Sequence, residues 1–159
     1  MDSDKTSELD LLQDELQKMI LADAREAYSE IVIKHAMNPR NVGDMPDADG
    51  YGHSLGSCGD DIEIWLKVTD GKVVKATFWT DGCLTSTACG SMATELVTGR
   101  TVAKARCTSQ KEILDALGDL PEESRHCATL AASAVKEAVR NYLDLQREPW
   151  KKLYPRQKS

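Results

Sequence analysis

Five cysteines punctuate the 159-residue chain: Cys58, Cys83, Cys89, Cys107 and Cys127. Three of them stand in a glycine-opened turn or beside a second potential metal ligand. Cys58 lies in "GSCGDD", with Asp60 two positions on, so in extended backbone both side chains point the same way. Cys83 follows the Asp81–Gly82 turn, and Cys127 follows His126 in "RHCA". A deprotonated thiol is both a soft metal ligand and a nucleophile, and a helix start favours that thiolate. The set offers three thiolates, with Asp60 and His126 as optional fourth ligands. Zinc accepts Cys₃His or Cys₂Asp-type sets in tetrahedral geometry, whereas an iron–sulfur cluster prefers four thiolates with His as an occasional substitute. None of the three belongs to a C-x-x-C pair, which disfavours a zinc ribbon and a thioredoxin-type motif. Cys89, within a helical run near Ala88 and Met92, reads as a small core residue. Cys107, in an interhelical connection without an acid or histidine beside it, reads the same way.

These residues need elements to bring them together. Residues 8–35 read as one helix, with Leu9, Leu12, Leu16 and Met19 at three- and four-residue steps and Ala27, Ile31 and Lys34 continuing it. "NPRNVG" ends it, because Pro39 disfavours helix at Asn38. Residues 40–57 read as a Gly/Asp/Pro-rich loop. Ile62, Ile64, Leu66 and Val68 alternate with polar residues as a half-buried strand. Asp70–Gly71 is a hairpin signal, and Val74, Ala76, Phe78 and Thr80 are expected on one face of the returning strand. Helices follow: Cys83 to Gly99, a short one capped by Thr101, one opened by the Ser109–Glu112 capping box, and a last one from about Pro121–Arg125 to Leu145. The order predicts an α+β fold: a small antiparallel sheet of about three strands, covered on one face by helices, with an added N-terminal helix. The expected division is a helical extension at 1–26, a compact domain at 27–146 and a basic tail at 147–159.

Bulk properties narrow the function. Lys and Arg number 20 against 26 Asp and Glu, a net −6. An acidic balance disfavours general nucleic-acid or anionic-membrane binding. No apolar run approaches the ~20 residues of a membrane span, and the acidic start lacks secretory and transit-peptide character. A reducing, cytoplasmic location is expected. An odd cysteine count there argues against a disulfide framework.

Four stretches make the reading specific: "AYSEIVIKHAMNPRNVGDM", "GSCGDDIEIWLKV", "ATFWTDGCLTSTACGSMATELVTGRTV" and "RHCATLAASAVKEAV". Together, over roughly residues 27–145, they resemble the IscU/NifU N-terminal family of iron–sulfur cluster assembly scaffolds. In that family a cysteine in a C-G-D segment, one in a G-C loop and one in an H-C pair hold a nascent [2Fe–2S] cluster. The resemblance implies Cys58, Cys83 and Cys127 as ligands, with Asp60 and His126 in supporting positions; Cys89 and Cys107 match no family ligand. It further implies a non-enzymatic scaffold. By the same resemblance, a cysteine desulfurase would deliver persulfide sulfur to Cys127, iron would join the site, a ferredoxin or frataxin-like helper would assist, and the cluster would leave for apo iron–sulfur acceptor proteins.

Two departures from the family stand out. Its bacterial members often carry Leu-Pro-Pro-Val-Lys before the His-Cys pair, read by an Hsp70-type chaperone. Here Leu120 and Pro121 remain, but Glu122, Glu123 and Ser124 replace the rest, so that recognition is not implied. Arg125 is the cation beside the pair that could steer a thiolate or persulfide. The second departure is the extension at residues 1–26, which has three readings: docking on its own domain, the favoured one; pairing in a homodimer; or meeting a partner. Two other functions compete with the scaffold. One is a zinc-binding sulfur acceptor that stimulates a cysteine desulfurase; the other is an interaction domain with incidental cysteines.

Overall fold

The computed structural model describes residues 2–57 and 59–153, with side chains from residue 7 onward. Cys58 and the tail beyond Leu153 lie outside the described residues. The order is α1 (Asp2–Ala27), α2 (Glu30–Met37), β1 (Gly50–Leu55), β2 (Asp61–Thr69), β3 (Lys72–Thr80), α3 (Leu84–Val97), α4 (Val102–Arg106), α5 (Gln110–Leu117) and α6 (His126–Arg147). Short 3-10 turns occupy Glu122–Ser124 and Pro149–Leu153.

The sheet is antiparallel in the order β1-β2-β3. Ile62, Ile64 and Leu66 of β2 point to one face and are fully buried, as their alternation requires. On that face α6 lies against β1 and β2, α3 lies against β3, and the two helices touch each other. α2 covers the far flank of α3, and α5 packs beneath α3 and α6. One hydrophobic core therefore joins the sheet to a single helical layer. Among the described residues, no helix is long and apolar enough to cross a membrane.

Local chemistry explains most boundaries. Asp70 and Gly71 both take positive φ (52° and 74°), the two-residue hairpin geometry that matches strand twist. Thr101 accepts from the Lys104 amide and Ser109 from the Glu112 amide, capping α4 and α5. Gly118 closes α5 in the left-handed conformation.

Five expectations are corrected. The stretch 8–35 is two helices, because Ser29 adopts extended backbone (ψ 157°) and caps α2 by accepting from the Val32 amide. Its hydroxyl also donates to the Leu117 carbonyl, pinning the break to α5. The stretch 40–57 is not all loop: Gly50–Leu55 is the edge strand β1. A side chain at Gly52 would collide with the Ala134 carbonyl, so glycines weak in strand propensity are what let α6 approach. Val74 faces out, because the β2–β3 register shifts at Lys67/Val68 and Val73 takes the inward place. Cys107 is exposed at the end of α4 rather than buried. Finally, α1 does not lay its apolar stripe on the body. Leu9, Leu11, Leu12, Leu16, Met19 and Ile20 remain 58–66% exposed.

Candidate metal centre

β2, β3, α3 and α6 place four of the chemically interesting side chains at one end of the sheet. Asp60 immediately precedes β2, Cys83 is the residue entering α3, and His126 and Cys127 open α6. The Cys83 thiol lies 3.6 Å from Asp60 Oδ2 and donates to it. Cys127 Sγ lies 3.7 Å from His126 Nε2. One ligand atom each from Asp60, His126 and Cys127 falls within a 4.8 Å group, close enough to share one ion. Cys83 joins the same cluster through its contact with Asp60. Residues separated by 23 and 43 positions are thus brought together, whereas Cys89 is buried in the core and Cys107 lies elsewhere. Cys58, the remaining candidate, is outside the described residues; Gly59 beside it takes φ 89°, a left-handed turn that delivers the chain to Asp60.

Two side chains that sequence reasoning passed over tie the cluster together. Thr85 Oγ1 lies 2.9 Å from Cys83 Sγ and 3.4 Å from Cys127 Sγ. Ser86 Oγ donates to Asp60 Oδ2 at 2.6 Å and lies 3.4 Å from Cys127 Sγ and 3.7 Å from Cys83 Sγ. Both are buried in the first turn of α3. Their signal was legible as hydroxyls two and three positions after Cys83, where a helix turns its side chains back toward its start. Gly82 makes the fit possible: a Cβ there would stand 2.8 Å from Ser86 and 2.9 Å from Asp60.

The two thiols differ electrostatically. Burial alone would raise Cys83, but hydrogen bonds from the side chains and backbone amides of Thr85 and Ser86 outweigh it and hold the thiol below its ordinary value. Cys127 was expected to be lowered by the helix start. It is instead raised, first by burial, which the hydroxyls of Ser86 and Thr85 only partly offset, and then by the negative neighbours Cys83 and Asp60. Cys127 is 1% exposed, so desolvation of the thiolate defeats the dipole. Arg125 does not face the thiols as a free cation. Its guanidinium binds Asp119 Oδ2 (3.0 Å) and the Leu120 carbonyl (3.3 Å), and its own carbonyl accepts from Gln110. Arg125 thereby anchors the turn that delivers His126 and Cys127.

A buried thiol, an exposed thiol, a carboxylate and an imidazole in one cluster make a mixed soft and hard donor set suited to iron or zinc. Residues 27–148 match the NifU-like N-terminal domain family. The chain is 42% identical over 117 residues to the iron–sulfur cluster assembly scaffold protein IscU 1 of Archaeoglobus fulgidus, covering 72% of this chain and 76% of that protein. It is 40% identical over 121 residues to the IscU scaffold of Azotobacter vinelandii, covering 73% and 94%. Its fold resembles the N-terminal NifU-like protein of Brucella abortus, with a TM-score of 0.60 at 21% identity over 73% of this chain and 94% of the other.

Proposed function

The chain belongs to the NifU-like N-terminal domain family, and from that premise we propose that it is a scaffold on which a [2Fe–2S] cluster is built from iron and desulfurase-derived sulfur, then passed to apo-proteins. The observation that supports this reading is the convergence of Asp60, Cys83, His126 and Cys127 at one end of the sheet. Cys58, two residues before Asp60, completes the thiolate set. The cluster is cargo. Cys58, Cys83 and Cys127 supply soft ligands, while Asp60 or His126 supplies a fourth that binds iron–sulfide less tenaciously than a thiolate would.

Sulfur enters by exchange. The Cys127 thiolate attacks the outer sulfur of a desulfurase persulfide, a new S–S bond forms, and the donor's thiolate leaves. Two electrons per transferred sulfur, from a ferredoxin-class donor, then yield sulfide. Because Cys127 is 1% exposed, with the Thr85 and Ser86 hydroxyls each 3.4 Å from its sulfur, this transfer requires local opening around the thiol. Cys83, already exposed, is the competing acceptor. A frataxin-like helper, the cytoplasm as the compartment, and apo iron–sulfur proteins as recipients belong to this reading.

A second reading, a zinc-binding sulfur acceptor that stimulates a desulfurase, draws on the same grouping of Asp60, His126 and Cys127, which lies within one ion's reach. Anaerobic reconstitution with iron, cysteine and a cysteine desulfurase separates the two. A visible chromophore that moves to an apo-ferredoxin is the expected result. Retained zinc with no chromophore would reject the scaffold in favour of the zinc protein.

A further inference from the structure

The segments flanking the family-matched span carry opposite charge. Residues 2–27 hold eight carboxylates against three cations, a net −5. Residues 147–159 hold five cations against one carboxylate, a net +4. The body between them, 28–146, carries 17 acids against 12 bases, also −5. Each flanking segment also presents bare apolar surface. On α1, Leu9, Leu12, Leu16 and Met19 form one solvent-exposed face, edged by Glu8 and Glu15. After α6, Trp150 is 57% and Leu153 84% exposed, with Lys151 and Lys152 between them. A contiguous apolar face of this kind marks an interface.

Electrostatics selects the partner. The body of the chain and a second α1 both bear the same sign as α1, so each is disfavoured as its cover. The C-terminal segment is the net-cationic stretch of the chain. Its surface ion pairs, Lys152–Asp49 and Lys151–Glu148, are between partly exposed groups and contribute little that would hold the cations back. Within one copy the two segments leave from opposite flanks of α3: α1 runs into α2 on one side, and Pro149–Leu153 follows α6 on the other.

We infer that α1 of one copy docks on the C-terminal segment of a second copy, and reciprocally, closing a two-fold dimer. Leucines of α1 cover Trp150 and Leu153, and the acids of α1 face Lys151 and Lys152. The inference is independent of the cluster chemistry, since neither segment contributes a residue to the metal centre.

Sedimentation of the full chain tests it, with variants that change exposed side chains and leave the core intact. The full chain is expected to be a dimer that dissociates as salt rises. L12E/L16E and W150S/L153S are each expected to be monomeric alone. Mixed together they are expected to form a 1:1 dimer, because the first retains a good C-terminal segment and the second a good α1. A monomeric full chain at low salt would overturn the inference. So would a W150S/L153S variant that stays dimeric while L12E/L16E does not, since α1 would then be pairing with itself. Failure of the mixed variants to associate would overturn it equally.

Discussion

Cys83 and Cys89 belong to one helix, at its mouth and its second turn, yet one is exposed to solvent and the other is fully buried. Cys83 is exposed, touches Asp60, Thr85 and Ser86, and is held below its ordinary pKa. Cys89 is fully buried in the core, where burial first, and the thiolates of Cys127 and Cys83 after it, push its thiol far up. The same residue type is a ligand candidate at an element boundary and a small hydrophobe one turn and a half further in. Helix starts supply free amides, adjacent turns and solvent; helix interiors supply packing.

The sharpest way to break this contrast is to exchange sulfur for oxygen at both places. Cys83→Ser is expected to abolish stable cluster assembly while leaving thermal stability within about 0.5 kcal/mol, as exposed substitutions do. Cys89→Ser is expected to leave assembly intact and cost about 1–3 kcal/mol of stability, because a hydroxyl is buried without a dedicated partner. Chromophore yield and urea denaturation of both variants read the two effects. Equal behaviour in either assay would remove the distinction.

A smaller effect is expected from the hydroxyl that organises the mouth. Ser86→Ala removes the 2.6 Å bond to Asp60 while vacating little volume. By the usual weight of groups that orient metal ligands, iron or zinc affinity should fall about 10-fold with little change in melting temperature. Unchanged affinity in a chelator competition would deny Ser86 that role. Asp60→Ala should lengthen the lifetime of an assembled cluster, because exchange through the labile carboxylate is lost. Its visible absorbance would be followed after anaerobic reconstitution, and faster bleaching than the parent would count against the assignment.

The mildest test is alkylation against pH in the metal-free protein. A lowered pKa gives more thiolate at any given pH, so Cys83 should react at a lower pH than an unperturbed thiol. Cys127 should lag, and Cys89 should stay unmodified until the chain unfolds. Peptide mass spectrometry reads all three, and a Cys127 that reacts before Cys83 would reverse the electrostatic picture.

Much of this was legible in the residues because its causes are local. The alternation of Ile62, Ile64 and Leu66, the Asp70–Gly71 turn, and the caps Thr101 and Ser109 each depend on neighbours in sequence, and each appears where the pattern puts it. The boundary positions of Cys83 and of the His126–Cys127 pair were readable for the same reason. What escaped depends on distant partners. β1 exists because β2 and α6 sandwich a glycine-rich segment that has little strand propensity of its own. The break at Ser29 is pinned by a carbonyl 88 residues away. The bulge that turns Val74 outward is a property of the strand pair, not of either strand. The raised Cys127 thiol reflects burial by α3 side chains, which outweighs the helix dipole that sequence position advertises. An apolar stripe such as that of α1 states that something must cover it, and leaves the identity of the cover to charge and geometry.

Anomalous diffraction at the iron edge, from crystals of anaerobically reconstituted protein, addresses the metal centre most directly. Two iron peaks beside the sulfurs of Cys58, Cys83 and Cys127, with Asp60 or His126 completing the set, are the predicted result. Iron bound elsewhere, or a centre in which Cys83 and Cys127 take no part, would contradict it.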